Sequence, residues 1–275
     1  MVKCFQKIES KGPFFWSFIL MALLWADLGL AQSIVGGCEA PSPALRKKHR
    51  VDVNEKLEYQ LKFLGMNRGK AFFQTRKTKG GFWVKSKGKL KLDGFFHWLD
   101  AIDGRMVSFL NPKNSKPGRM YNHIYAGNSG EVRESAVFSA DHHVSGTLIY
   151  KGRKRPATLQ GTSEVVDALS ALYYLRHRKF KAQKKFCFEV YHRRRLWRVE
   201  GQMSHKENIS VQAGKGDAIV LKATVRRLGG GKSQGQRHPV KLWLSHDRHR
   251  LPLKFEAPIG FGDLRAELVG YNLSP

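Results

Sequence analysis

The feature that most restricts this chain is a two-residue alternation that keeps returning along it. In KLEYQLKFLG, residues 56–65, Leu57, Tyr59, Leu61 and Phe63 alternate with Glu58, Gln60 and Lys62. A strand turns successive side chains to opposite faces, so this order describes a ribbon with one buried and one wet side. The same beat returns in Val240, Leu242 and Leu244, in Leu251, Leu253 and Phe255, and in Leu264, Ala266 and Leu268. Turn clusters separate the runs: KGG at 79–81, LDG at 92–94, NPKNSKPG at 111–118, AGKGD at 213–217 and SHDRHR at 245–250. Many short strands with tight links predict a mainly β fold. The expected form is a single antiparallel curved sheet, or a partly open barrel, that hides its edges.

One segment breaks the beat. In TSEVVDALSALYYLRHRKF, residues 162–180, Val166, Leu169, Leu172, Tyr173 and Leu175 fall mainly on one stripe at helical spacing. Ser163 is placed to cap the start, and Arg176, His177 and Arg178 suit the negative end of the helix dipole. A helix over about 163–177 is expected to close the open side of the sheet as a core plug. A lid over a binding site is the alternative reading of the same stripe.

At the amino end, Lys3, Lys7 and Lys11 accompany PFFWSFILMALLW, residues 13–25. That apolar run is shorter than the roughly 20 residues that span a bilayer, and small residues follow in LGLAQS. Residues 1–31 therefore read as a cleaved export signal. IVGGC, residues 34–38, has the order of a lipoprotein box, so the alternative is loss of residues 1–37 and acylation of Cys38. Residues 38–50 then form a flexible basic linker, and 51–275 a single β-rich domain. Either route puts the folded part outside the cytoplasm, periplasmic or associated with the outer membrane of a Gram-negative bacterium. Of 3 cysteines, Cys4 leaves with the signal, Cys38 is lipidated or loose, and Cys187 in KFCFEVY reads as a small core residue. No disulfide framework is expected from that set.

Lys and Arg total 49 against 22 Asp and Glu, a formal charge of +27. Such an excess attracts polyanions with a strength that falls as salt screens it. The cations cluster in RKKHR (46–50), VKSKGKLKL (84–92), KGRKRP (151–156), LRHRKFKAQKK (175–185) and HRRRLWR (192–198). Lys85, Lys87, Lys89 and Lys91 share one parity, so a strand would line them up along one face. Together with Arg153, Lys154, Arg155, Arg193, Arg194 and Arg195 they are the candidate polyanion contacts. A solvated face that guards sheet edges explains any single cluster equally well. Nucleic acid is not expected, because zinc-finger, helix-turn-helix and RNA-binding aromatic patterns are missing from an exported chain.

Reactive motifs fare poorly. LGGGKSQGQR, residues 228–237, would need a Gly at position 226 to form a phosphate loop, and Arg226 stands there. His246 and His249 flank Asp247, but Arg248 and Arg250 load the same turn, so Asp247 is expected to brace the backbone or pair with an Arg. His142 and His143 would point to opposite faces of a strand. AGNSGE lacks the spacing of a nucleophile elbow. No enzyme activity, cofactor or metal site is expected.

The segments EKLEYQLKFLGMNRGKA, VFSA, DALSALYYLR, VQAGKGDAIVLKA and VKLWLSHDRHRLPLKFEAPIGFGDLRAELVGY, in this order, resemble the exported bacterial family called domain of unknown function 3108. The likeness covers about residues 54–271. Asp167, Ser170, Tyr173 and Arg176 match its helix signature, and Ala213 and Gly214 its hairpin. Trp243, Asp247, Leu251, Pro252, Gly260 and Leu268 match its carboxyl-terminal strands. Phe138-Ser139 departs from the family's frequent Phe-Asp, and the Gly/Lys-rich insert around 229–237 is this chain's own. The resemblance implies an envelope location and a single antiparallel β domain, and brings no activity with it. The functional expectation is a non-enzymatic protein that binds lipopolysaccharide, acidic lipid or cell-wall polymer. A carrier of a hydrophobic ligand in a barrel cavity, or a hydrolase, are the alternatives.

Overall fold

The alternating runs become strands with the burial their pattern demands: Leu57, Tyr59, Leu61 and Phe63 are all buried, while the residues between them are not. The computed structural model describes residues 53–79, 83–92, 102–127, 130–182, 184–229, 236–259 and 262–273. The first eight strands are β1 (Lys56–Phe63), β2 (Met66–Lys77), β3 (Val84–Leu92), β4 (Ile102–Leu110), β5 (Pro117–Ala126), β6 (Gly130–Phe138), β7 (His143–Tyr150) and β8 (Arg153–Gln160). A short β9 (Val165–Asp167) and helix α1 (Ala168–Arg176) follow. The chain then completes β10 (Lys185–His192), β11 (Arg195–Val211), β12 (Gly214–Arg227), β13 (Arg237–Ser245), β14 (Pro252–Ile259) and β15 (Gly262–Asn272).

Among the described residues all 15 strands belong to one sheet, ordered β8 to β1 and then β15 back to β9. Nearly every strand lies beside its neighbour in sequence, and β1 pairs with β15 from Lys56↔Asn272 to Phe63↔Leu264. Pairing is antiparallel throughout except between β9 and β10, which run parallel. The single curved sheet expected from the alternation is what forms.

Helix α1 occupies the inside of the curl. All nine of its residues are buried, as a core plug requires. It begins later than Ser163, which corrects the expected start. Val165 and Val166, whose β-branching favours extended backbone, pair with Glu189 and Val190 instead. The cap is Asp167: its carboxylate accepts from the backbone N–H of Leu169 (2.9 Å) and Ser170 (3.0 Å). The Ser170 hydroxyl in turn accepts from the Asp167 N–H at 2.9 Å, completing a capping box. Between the helix and β10–β14 remains an apolar gap of ≈ 30 Å³, lined by Ala171, Leu175, Phe188, Leu221, Leu242 and Phe255 among others. That is about the room of one water molecule.

Cys187 corrects a second expectation. It is buried on β10 and disulfide-bonded. Two cysteines far apart in sequence leave no spacing pattern to read. The segment expected to be an export signal (1–31, or 1–37 with Cys38 as lipidation site), the expected 38–50 linker and Gly260 lie outside the described residues. Among the described residues, no helix is long and apolar enough to cross a membrane.

Candidate functional site

Period-2 geometry puts the β3 lysines on the side of the sheet away from α1. Val84, Ser86 and Leu90 are buried, whereas Lys87, Lys89 and Lys91 are exposed and Lys85 is half-buried. Gly88 also faces inward, where an added Cβ would touch Phe73 and Leu169 of the helix. The lysine row is thus an outer row. Among the described residues, Lys87, Lys89 and Lys91 have no ion-pair partner, while Lys85 sits over the Phe109 ring at 5.6 Å.

Strand register extends this row sideways. Phe72 of β2 lies opposite Lys89, Lys89 opposite Arg105 of β4, and Arg105 opposite His123 of β5. His123 lies opposite Arg133 of β6, Arg133 opposite Ile149 of β7, and Ile149 opposite Lys154 of the edge strand β8. The neighbouring rows carry Arg76, Arg119 and Lys70 on the same face. Acidic groups are few there. Glu131 accepts from Arg133 (2.8 Å) and pairs with His123 (2.5 Å), and these hydrogen bonds hold its pKa below the ordinary carboxyl value. Asp103 lies opposite Lys91.

The other predicted cations separate from this face. Arg153 and Arg155 have the parity of Tyr150 and Leu148, opposite to that of Lys154. Arg193 and Arg194 form the β10–β11 turn, both with positive φ (48° and 61°). That conformation is strained for residues other than Gly, Asn and Asp, and must be held by its surroundings. The buried Glu134 carboxylate holds it, accepting the Arg194 N–H at 3.1 Å and the Asn122 amide at 3.2 Å. The Arg194 Nε donates to the Pro156 carbonyl of β8 at 3.2 Å. Through Arg194 the hairpin docks across the opening between the two ends of the sheet. The Lys116–Glu164 ion pair and the contact of Ser115 Oγ with His177 Nδ1 cross the same opening.

The family-signature residues are structural. Arg176 donates to both Glu55 oxygens at 2.8 and 2.6 Å and to the His249 carbonyl at 3.1 Å, and Tyr173 donates to Glu55 at 3.2 Å. Ser108 of β4 donates to Asp167 at 2.6 Å. Asp247 braces its turn as expected, accepting from the Ser245 hydroxyl and from the N–H groups of His249 and Arg250 at 2.8–2.9 Å. Pro252 offers its carbonyl to the Tyr59 hydroxyl at 2.8 Å. Trp243 donates its indole N–H to Glu207 and lies under the Lys254 ammonium at 4.7 Å. Gly214 opens β12 with φ 142°, a value that favours glycine.

Strongly perturbed groups serve packing as well. Burial pushes the Glu134 carboxyl up, opposed by its hydrogen bonds from the turn. Burial, with the Arg193 and Arg195 charges beside it, depresses His192 to about 3. Both oxygens of Glu134 are engaged by the hairpin and Asn122. Among the described residues, no group of three His, Cys, Asp or Glu side chains gathers to hold a metal. A polar crevice of ≈ 410 Å³ beside β1 and β15 contains the Lys62–Glu267 ion pair (2.5 Å), whose charges already balance.

Sequence reasoning missed Glu55, Ser108 and Glu134, because their partners are distant in the chain. It also missed the rings that share the outer face, Phe72, Tyr121 and Tyr125. Their alternation with buried Ala71, Met120 and Ile124 carried the signal.

The sequence matches the family model described as "Protein of unknown function (DUF3108)" over residues 58–269. The chain belongs to this family. No curated protein matches this DUF3108 chain. Among solved structures it is similar to a β-barrel-like protein of domain of unknown function DUF1849 from Brucella abortus. The two are 12% identical with a TM-score of 0.57, over 82% of this chain and 100% of that one. A Bacteroides fragilis protein described as exported, with a YmcC-like fold, is 7% identical (TM-score 0.36; 82% and 98% covered). A Parabacteroides distasonis protein described as a lipoprotein is 8% identical (TM-score 0.34; 82% and 97% covered). The Brucella likeness shows that the DUF3108 fold is β-barrel-like; the other two are too distant in shape to carry an argument.

Proposed function

We propose that this protein is exported and binds anionic components of the bacterial envelope through the outer face of β2–β8, without catalysing a reaction on them. One observation carries the reading: Lys87, Lys89 and Lys91 stand exposed in a row, and Lys89 is in register with Arg105 of the adjacent β4 and, across His123 of β5, with Arg133 of β6. Ammonium groups on alternate residues recur roughly every 6.7 Å along a strand, a spacing that suits repeated phosphates or carboxylates. Export is supported by the basic and apolar leader of residues 1–31. Carriage of an acyl chain in the interior gains no support from a gap of ≈ 30 Å³.

The test is a titration with soluble polyphosphate and with vesicles rich in anionic lipid, each repeated from 50 to 500 mM salt. Binding is expected to weaken by at least tenfold across that range, as exposed charges are screened. Replacing Lys87, Lys89 and Lys91 together by Gln is expected to lower affinity by a further factor of roughly ten or more. Salt-independent binding, or a triple variant that binds both probes like the parent, would refute the proposal.

A further inference from the structure

The outer face is more than basic. Phe72, Tyr121, Tyr125, Val137 and Ile149 are 41%, 42%, 55%, 47% and 38% exposed, and register places them all on the strands that carry the cations. Tyr121 lies opposite Val107 and Ser135, one row from Arg105 and Arg133, so rings and charges interleave. From β2 to β8 the face extends roughly 29 Å at about 4.8 Å per strand. It is the outer surface of a curved sheet, wider than a single extended polymer needs.

Resting on the envelope-anion reading, we propose that the partner is a lipid surface: this face seats on an anionic leaflet. Lys87, Lys89, Lys91, Arg105 and Lys154 would meet headgroup phosphates while Phe72, Tyr125 and Ile149 enter the interfacial layer. Charge complementarity identifies the headgroups. The exposed aliphatic and aromatic groups distinguish a leaflet from a soluble polyanion, which has no apolar layer to receive them. Tyrosine rings with one wet and one apolar end suit that boundary, and lysine stems can lie along it with the ammonium kept in water. Two weak attachments, charge and shallow burial, together give stable peripheral binding where either alone is marginal.

The experiment compares the parent with a Phe72→Ser, Tyr125→Ser, Ile149→Ser triple variant, all outward-facing positions, with circular dichroism and melting to verify folding. Tyr271→Ser, exposed on β15, is the control. At 150 mM salt the triple variant is expected to partition onto anionic vesicles at least tenfold more weakly, to bind soluble polyphosphate like the parent, and to leave the control unaffected. Should the triple variant bind vesicles as the parent does, or the control lose as much, the lipid-surface proposal fails while anion binding stands. Binding to polyphosphate without binding to vesicles would also overturn it, and would indicate a polymer ligand. Loss of neither probe in the Lys87, Lys89, Lys91→Gln protein would remove the broader reading as well.

Discussion

At Arg176 a full positive charge sits where water does not reach, with the buried carboxylate of Glu55 spanning its guanidinium. A paired buried ion contributes little net stability, but an orphaned one is costly. Glu55→Ala is therefore expected to destabilise the fold by about 3–5 kcal/mol in urea denaturation, and Glu55→Leu with Arg176→Met by clearly less. A single-mutant cost no larger than that of the double variant would contradict the pairing. The sequence marked Arg176 as complementing the helix dipole. Its partner is 121 residues away and is reached only once β1 has folded over the helix. His192 has the opposite character, being neutral when folded. Its pKa of about 3 lies below the unfolded value near 6.5, so the unfolded chain binds the proton first on acidification. Stability from this group is full above pH 6.5 and falls as pH drops toward 3, at about 1.4 kcal/mol per unit. His192→Gln is expected to flatten the parent's loss of stability between pH 6.5 and 4; an unchanged slope would show that other groups set it.

The elements were legible where local pattern decides, and obscure where tertiary pairing decides. The helix was visible from its stripe, yet its start was misplaced because Ser163 offers the same capping chemistry as Asp167. Only the parallel pairing of Val165 and Val166 with β10 separates the two candidates. The β10–β11 hairpin shows the same limit. Its arginines read as a binding cluster, whereas Arg194 is engaged by Glu134 of β6 and the Pro156 carbonyl of β8 and so ties the hairpin to the other end of the sheet. Gly146 of β7 makes room for that hairpin, since a Cβ there would overlap the Tyr191 hydroxyl. Gly146→Ala is expected to destabilise by about 1–3 kcal/mol through overpacking. Partial recovery of the loss by Tyr191→Phe, which removes the hydroxyl but leaves the ring Cζ 2.8 Å from the added Cβ, would identify the overlap as its cause, and a stable single variant would show that the hairpin rests elsewhere.

For the whole molecule, two-residue periodicity specified the class of fold almost completely, since one buried and one wet face per run permits little besides a curved sheet. Net charge indicates only the sign that a partner would carry. Neither could assemble the candidate face, because parity places Lys89 and Tyr125 on outer sides without stating that β2 to β8 lie in sequence order. Register supplies that step.

The β1–β15 seam has a consequence for how such a chain comes into being. The first strand made finds one of its two neighbours only in the last, so residues 56–63 wait, half-partnered, until residue 272 has been delivered. Sheet completion then comes last, and until then one edge of β1 stays open to whatever strand reaches it first.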